Sequence, residues 1–395
     1  SCHMRKIFLN IFLLIFSFYF ILLLIESSIF LHKKIFKKNL YLGDKNKREN
    51  LLKQNNTTTV IPIEINSSNQ QLKDISLKHN FFPLGHAIPN FRVIYCDEGY
   101  GLIKYQSDRY GFNNEDSKWD SIKKDILIIG DSFAHGACVE REKNFSGIID
   151  QQLKKISINL GTDSSSIIHY IIHAEKFIKK VNPRKIIFFL SGNDIMHDYN
   201  SKNYHKSVYK NFKKGNFDIY DLSHEDFKEK TKNYYKDINR YIQNYSSINK
   251  NDVTIFKKIY LRVMKSFKLE ETSRFICLKT NCNHKLFNNE KIYEKLIETS
   301  INQVNLLENK SDIYFVLLTN KQKYKNYKPY LDNKKQFIEI FSDFKSKYKK
   351  IFLIDLINYL DLSDPNLLPP NDTHNRHFSY VGYEKIGKII VDLIY

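Results

Sequence analysis

The chain lacks a nucleic-acid-binding fingerprint, although it is strongly basic. It holds 62 Lys and Arg against 43 Asp and Glu in 395 residues, a net charge of +19. Glycine and proline are scarce, at 13 and 8 residues, and lysine is spread through the chain together with Asn, Ile, Tyr and Phe. This spread is typical of compositional drift in an AT-rich genome and argues against a localised basic face. We therefore predict no nucleic-acid partner, and keep an acidic glycan or a lipid headgroup as alternatives.

Cysteine is also scarce, and the chain lacks a complete zinc ligand set. Cys277, Cys282 and His284 share one short segment, but two thiols and one imidazole are fewer ligands than structural zinc requires. A local disulfide is favoured there if the domain is exported. Cys138 is interpreted as a small packing residue. We predict no metal and no cofactor.

An uncharged apolar run, Ile7 to Ile25, is 19 residues long and could cross a bilayer as a helix. It lacks a small-x-small cleavage site after Glu26, which favours an uncleaved signal anchor. Orientation stays open at this point. Arg5 and Lys6 precede the run and four lysines follow it, so counting positive charges alone would leave the domain in the cytoplasm.

Three regions follow from these patterns. Residues 1–32 are predicted to hold an expression-tag remnant, suggested by Ser1-Cys-His before Met4, and the transmembrane anchor. Residues 33–79 are polar and are predicted to be a linker with a short strand at Val60–Ile65. Residues 80–395 are predicted to form one α/β domain.

Apolar strands alternate with helices in that domain. Strands are predicted at 126–130, 156–160 and 186–190, with helices at 143–154 and 166–180. The pattern resumes with strands at 313–318 and 351–354, separated by a helix at 334–348, and ends in a helix at 383–394. This alternation predicts a three-layer α/β/α fold with a central parallel sheet.

Residues 199–308 interrupt the alternation and are predicted to be a helical insertion. Helical periodicity occurs at 223–242, 253–266 and 288–307. The insertion either covers the carboxyl edge of the sheet, where it would shape an acceptor pocket, or decorates the surface without catalytic consequence.

The strand Ile126–Ile129 runs directly into Gly130-Asp131-Ser132. A serine between a buried parallel strand and a helix lies at the edge of the sheet where α/β proteins bind ligands. The helix that follows offers unpaired backbone N–H groups to a developing negative charge. The alternative is a turn with an ordinary helix cap, because Asp and Ser are common in both roles.

Two further motifs accompany the serine. The strand at 186–190 ends in Ser191-Gly-Asn-Asp194, and Asp372-Thr-His-Asn-Arg-His377 precedes the last helix, with Gly382 five residues after His377. This order resembles the SGNH (GDSL-type) hydrolase superfamily over residues 80–200 and 310–395. The segment Tyr105–Asn113 together with Trp119 resembles a branch found with bacterial envelope polysaccharide genes.

The resemblance implies a role for each matching residue. Ser132 would be the nucleophile and His377 the general base, with Asp372 orienting the imidazole. The Ser132 backbone N–H and the Asn193 side chain would form the oxyanion hole. Ser164 stands where the family has a second glycine, and its backbone N–H could still donate.

A second base remains an alternative, because the family places its aspartate three residues before the histidine and position 374 here is His. His374 paired with Asp372 could therefore be the base, although the spacing to Gly382 favours His377. Asp355, at the end of the last strand, competes weakly with Asp372 as the partner of the histidine.

The resemblance implies a serine esterase or O-acyltransferase that acts on O-acyl, chiefly O-acetyl, groups of a cell-envelope or exported glycan. It also implies a single-pass protein of a bacterial inner membrane with an extracytoplasmic domain. One alternative is a degenerate SGNH domain that binds glycan without turnover. Another is a membrane-surface protein that engages anionic polymers through its lysines.

Overall fold

The computed structural model describes residues 13–14, 16–21, 24, 57–59, 75, 78–81, 83–96, 98–163, 165–196, 212, 214–215, 217, 220–251, 289–308, 310–318, 328–368 and 377–395. The chain divides into two compact units, one of residues 1–43 and 242–285 and one of residues 44–241 and 286–395. In the first unit, residues 13–14, 16–21 and 24 are helical. Among the residues described, none of the helices combines the length and the apolar character needed to span a bilayer. The predicted anchor Ile7–Ile25 is described only in part, and the predicted helix 253–266 lies outside the described residues.

The second unit opens with a small sheet of three strands: β1 (Thr57–Thr59), β2 (Arg92–Ile94) and β3 (Lys104–Gln106). β1 pairs in parallel with β2, and β2 forms an antiparallel hairpin with β3. The segment predicted as a linker thus contributes a strand at Thr57–Thr59, and the strand predicted at Val60–Ile65 lies outside the described residues.

The central sheet confirms the predicted parallel α/β core. Its strands are β4 (Ile126–Ile129), β5 (Ser157–Asn159), β6 (Lys185–Ser191), β7 (Asp312–Leu318) and β8 (Ile351–Asp355). They are all parallel, in the order β5-β4-β6-β7-β8. The chain moves from β4 to one side and then returns to the other, so the order reverses at β4. Ligands bind at such a reversal in doubly wound sheets, outside the carboxyl ends of the strands.

Eight α-helices have their bounds given by the structure. They are α1 (Ser132–His135), α2 (Phe145–Leu153), α3 (Ile167–Val181), α4 (Gly192–Met196), α5 (His224–Asn251), α6 (Glu290–Asn305), α7 (Lys328–Lys347) and α8 (Tyr380–Ile394). Short 3-10 helices lie at Asp116–Asp120, Arg141–Lys143, Leu356–Asn358 and Pro365–Leu367.

The sheet separates two hydrophobic cores, because successive side chains of a strand point to opposite faces. Leu127 and Ile129 of β4 join the core beneath α3, α6 and α7. Ile126 and Ile128 join the core beneath α2 and α8. All four are fully buried, which explains why β4 is continuously apolar.

Helix α6 belongs to one of these helical layers, although the sequence analysis placed its residues at the end of the insertion. It packs between α3 and α7, and Tyr293, Leu296 and Ile297 are fully buried in the shared core. α6 therefore lies on the crossover between β6 and β7. The first half of α5 also joins this core through Phe227, Tyr234 and other buried residues.

Candidate active site

Ser132 lies at the carboxyl end of β4 and is the first residue of helix α1. Asp131 caps helix α1, and its Oδ1 accepts a hydrogen bond from the Phe133 backbone N–H at 2.9 Å. The turn requires glycine at position 130, because a Cβ there would lie 2.6 Å from the Cβ of Ala134. Burial raises the pKa of Asp131 to about 6. The strand, the tight turn and the cap together fix the direction of the Ser132 side chain.

His377 reaches Ser132 from the start of α8. Ser379 caps this helix by accepting a hydrogen bond from the Gly382 N–H at 2.9 Å. A Cβ on Gly382 would lie 2.5 Å from the Leu367 carbonyl oxygen, so a glycine is needed for this close approach. The cap fixes the backbone two residues after His377. Nε2 of His377 lies 2.9 Å from Oγ of Ser132.

Glu98 completes a relay of three side chains. Its Oε1 lies 2.9 Å from Nδ1 of His377, which is the ring nitrogen that does not contact Ser132. An ionised carboxylate only accepts hydrogen bonds, so Nδ1 carries the proton. The lone pair of Nε2 is then directed at the Ser132 hydroxyl, which is the arrangement that a general base needs.

The surroundings of His377 adjust its basicity. Burial by itself lowers the pKa of His377, but the hydrogen bond to Glu98 and the charges of Glu98, Asp163 and Asp131 outweigh it. The net effect is a pKa above the ordinary value of histidine. A more basic imidazole accepts the serine proton more readily, and its protonated form is stabilised by Glu98.

The structure shows where some of the other predicted residues lie. Asn193 is an exposed residue of α4, at the carboxyl end of β6, which is the neighbour of β4 in the sheet. Asp355 pairs with Lys334. Asp372, His374 and Ser164 lie outside the described residues, so their roles stay predictions.

The partner of Nδ1 is a residue that sequence reasoning missed. That position was predicted for Asp372, but Glu98 makes the hydrogen bond, from 279 residues away in the chain. Family spacing directed attention to carboxylates close to His377. Within the sequence, the available signal was an acidic residue in the β2–β3 loop, two residues after a cysteine.

A disulfide joins the loop of Glu98 to the loop of the nucleophile. It links Cys96, two residues before Glu98, with Cys138, six residues after Ser132. The interpretation of Cys138 as a packing residue is therefore wrong. Closing this loop of 42 residues stabilises the fold by about 4 kcal/mol in the chain-entropy description. The local disulfide that the sequence predicted between Cys277 and Cys282 lies outside the described residues.

A buried hydrogen-bond network connects the backbone after Ser132 to the segment around Asp108. Asp108 accepts hydrogen bonds from Trp119 Nε1 and Asn114 Nδ2, both at 2.8 Å. Asn114 exchanges two hydrogen bonds with the backbone of Asn159, whose side chain donates to the Ala134 carbonyl at 2.7 Å. The segment that contains Asp108, Asn114 and Trp119 therefore connects α1 to the end of β5.

The side chains around the relay include potential metal ligands. Among the described residues, Glu98, Cys138 and His377 place one ligand atom each within 4.8 Å of one another. The sulfur of Cys138 is bonded to Cys96, so it offers no thiolate. The short contacts of His377 to Ser132 and Glu98 fit proton transfer instead.

Comparisons with known proteins give distant likenesses only. No protein family model matches the chain, and no curated protein matches it. A solved structure from Desulfitobacterium hafniense DCB-2, described as a lipolytic protein of the G-D-S-L family, is 14% identical with a TM-score of 0.35, covering 69% of this chain and 100% of that chain. Another, described as a platelet activating factor from Streptococcus pneumonia, is 11% identical with a TM-score of 0.32, covering 82% of this chain and 94% of that chain.

Proposed function

We propose that this protein is a serine esterase or O-acyltransferase that works through an acyl-Ser132 intermediate. The observation that carries the proposal is the pair of 2.9 Å contacts that join Ser132, His377 and Glu98. A serine hydroxyl is a weak nucleophile at neutral pH and needs an adjacent base held in the correct tautomer. The relay supplies both.

The reaction follows from the positions of these atoms. Nε2 of His377 takes the Ser132 proton while Oγ attacks the acyl carbonyl carbon, and the carbonyl oxygen becomes an oxyanion. The protonated imidazole then donates its proton to the leaving alkoxide, and the acyl group stays on Ser132. Water, in hydrolysis, or a sugar hydroxyl, in transfer, then attacks the acyl carbon while its proton passes to His377. The bond between the acyl carbon and Oγ breaks, and the imidazolium returns the proton to Ser132.

Oxyanion stabilisation is proposed for three donors. They are the Ser132 backbone N–H, the Asn193 amide and the Ser164 backbone N–H. One such donor is worth about 3 kcal/mol in the transition state. Asn193 is the donor that mutation can test without disturbing a buried contact, because its side chain is exposed.

Hydrolysis of 4-nitrophenyl acetate tests the proposed function. We expect the oxidised, full-length protein to release 4-nitrophenol and the Ser132→Ala variant to lose this activity. Equal rates for the two proteins would contradict the nucleophile assignment. Absence of turnover by the wild type, with retained glycan binding, would favour the alternative of a degenerate binding module.

A glycan acceptor is proposed as the substrate class, and two aromatic residues close to Glu98 and His377 in the sequence support it. Tyr100 and Tyr380 stack with ring centroids 3.9 Å apart, and both are half-buried. Tyr100 lies two residues after Glu98, and Tyr380 three residues after His377. Aromatic side chains commonly line ligand sites, where they offer apolar surface to a substrate.

Tyr100→Ala is expected to impair the reaction of a polymeric substrate much more than that of a small ester. We expect KM for acetate release from an O-acetylated polysaccharide to rise by about tenfold, since one well-placed ring contributes about 1 kcal/mol or more. The rate on 4-nitrophenyl acetate should change by less than about twofold, because that ester is too small to need the ring. Equal effects on both substrates would contradict a role in binding the acceptor.

The protein is further proposed to act on the extracytoplasmic side of a bacterial inner membrane, anchored by Ile7–Ile25. The Cys96–Cys138 disulfide supports an oxidising compartment, because disulfides are rare in the cytosol. Cell fractionation with carbonate washing tests the anchor. Recovery of the full-length protein in the washed supernatant would contradict it.

A further inference from the structure

Glu98 belongs to a part of the fold that lies outside the central sheet. Ser132 follows β4, and His377 precedes α8, which packs on that sheet through α2. Glu98 instead lies in the loop of the β2–β3 hairpin, in the small sheet. The relay therefore depends on how firmly this loop is attached to the nucleophile loop.

Backbone hydrogen bonds pair the two strands of the hairpin as far as Cys96, two residues before Glu98. Tyr95 and Cys96 pair with Ile103 through backbone hydrogen bonds of 2.9 and 3.0 Å. The backbone then turns through Gly99 and Gly101, which have φ angles of 108° and 88°. Glycine adopts such angles without steric cost. On the amino-terminal side of Glu98, Cys96 is the nearest residue in these backbone hydrogen bonds.

The disulfide attaches Cys96 to the loop that follows Ser132. Cys138 is buried and follows α1, where the Ala137 N–H donates to the Ser132 carbonyl at 2.9 Å. The Cys138 sulfur also lies within 4.8 Å of ligand atoms of both Glu98 and His377. A short covalent path thus runs from Glu98 through Cys96 and Cys138 to the nucleophile loop.

We propose that the Cys96–Cys138 disulfide positions Glu98 for the reaction, so that full activity requires the oxidised protein. This inference rests on the proposed function. Cys96 and Cys138 are positioning residues, since they act on the reacting atoms only through Glu98 and His377. Apolar contacts of Val93, Tyr95 and Ala137 remain after the bond is cut, so the hairpin stays docked while the Glu98 loop loosens.

A dithiol reagent reduces the Cys96–Cys138 disulfide in two steps. Its thiolate attacks the sulfur of Cys96, which is the less buried of the two, and a mixed disulfide forms. The second thiol closes the reagent into a cyclic disulfide. Cys96 and Cys138 each gain one electron and one proton, and the reagent loses two of each.

The matched test removes the disulfide in two backgrounds. In the wild type, Cys96→Ala/Cys138→Ala is expected to lower kcat on 4-nitrophenyl acetate by about 10- to 100-fold, as loss of precise placement does. KM should change by less than about twofold, because the acyl pocket is retained. In Glu98→Gln, removing the disulfide should cost less than about twofold more, since the bond acts through Glu98.

The pH profile supplies a readout that general weakening of the fold would not move. Glu98 helps to hold the pKa of His377 above its ordinary value. When the loop loosens, that pKa falls, and the acidic limb of the kcat/KM profile should move to lower pH. Circular dichroism and the urea midpoint would establish that the variants are folded. Should the double variant fail to fold, dithiol treatment of the folded wild type provides the same comparison.

Three results would overturn the inference. The first is an unchanged kcat after loss of the disulfide. The second is a decrease of kcat in the Glu98→Gln background as large as in the wild type. The third is an acidic limb of the kcat/KM profile that stays at the same pH. Dithiol treatments should include a chelator, because a free Cys138 thiolate beside Glu98 and His377 could bind a divalent metal. The double variant treated with dithiol controls for the remaining cysteines. Failure of the proposed function is distinct, since the oxidised wild type would then be inactive.

Discussion

His377→Ala is expected to lower kcat/KM for 4-nitrophenyl acetate by about four to six orders of magnitude. The substitution removes the only group within hydrogen-bond distance of Ser132 Oγ among the described side chains. Without a base the hydroxyl keeps its proton, and only binding and oxyanion stabilisation remain. The measurement is a comparison of steady-state rates on the alkaline plateau of the wild-type pH profile, above the raised pKa of His377.

Non-additivity distinguishes a relay from two separate contributions. The Ser132→Ala/His377→Ala double variant should be no slower than either single variant, because residues that act as one unit lose their effect together. His79→Ala is a matched control, since His79 pairs with Asp237 at 3.0 Å and lies outside the relay. A loss of similar size in His79→Ala, or additive losses in the double variant, would contradict the assignment of His377.

Glu98→Gln is expected to lower kcat by about 10³- to 10⁴-fold, the cost of holding a catalytic histidine in the wrong tautomer. The amide is neutral, so it no longer stabilises the positive charge of the imidazolium as the carboxylate does. Loss of its negative charge also lowers the pKa of His377 from its raised value. Because the reaction needs neutral imidazole, activity rises with pH through this pKa, and its acidic limb should move to lower pH.

The profile of kcat/KM against pH measures that shift directly. Glu98→Asp is the conservative control, because it keeps the charge and shortens the reach by one methylene group. We expect it to retain more activity than Glu98→Gln and a smaller shift of the acidic limb. If Glu98→Gln kept wild-type kcat, the histidine would need another partner, and Asp372 would again be the leading candidate.

The sequence was sufficient for the parts of the site that depend on local patterns. Ser132 follows a strand that is buried on both faces, and His377 precedes a helix whose start is set by Ser379 and Gly382. These signals are short-range, because a strand end or a helix cap is determined by a few neighbouring residues. The parallel sheet could be predicted for the same reason, from strands that alternate with helices.

The remaining parts depend on contacts between distant segments. Glu98 meets His377 across 279 residues, and Cys96 meets Cys138 across 42. Neither pairing has a local pattern, since a loop carboxylate and a half-buried cysteine are common in many proteins. Helix α6 was placed in the insertion because amphipathic periodicity shows that a helix buries one face but not which element covers it.

The most direct test of the central claim is the intact mass of the oxidised protein after reaction with a fluorophosphonate, followed by mapping of the modified peptide. An activated Ser132 should gain one phosphonyl group, the Ser132→Ala protein none, and the His377→Ala protein should react far more slowly. If the wild type gains no mass, or if the adduct maps to another residue, the chain does not activate this hydroxyl and the relay does not function as described.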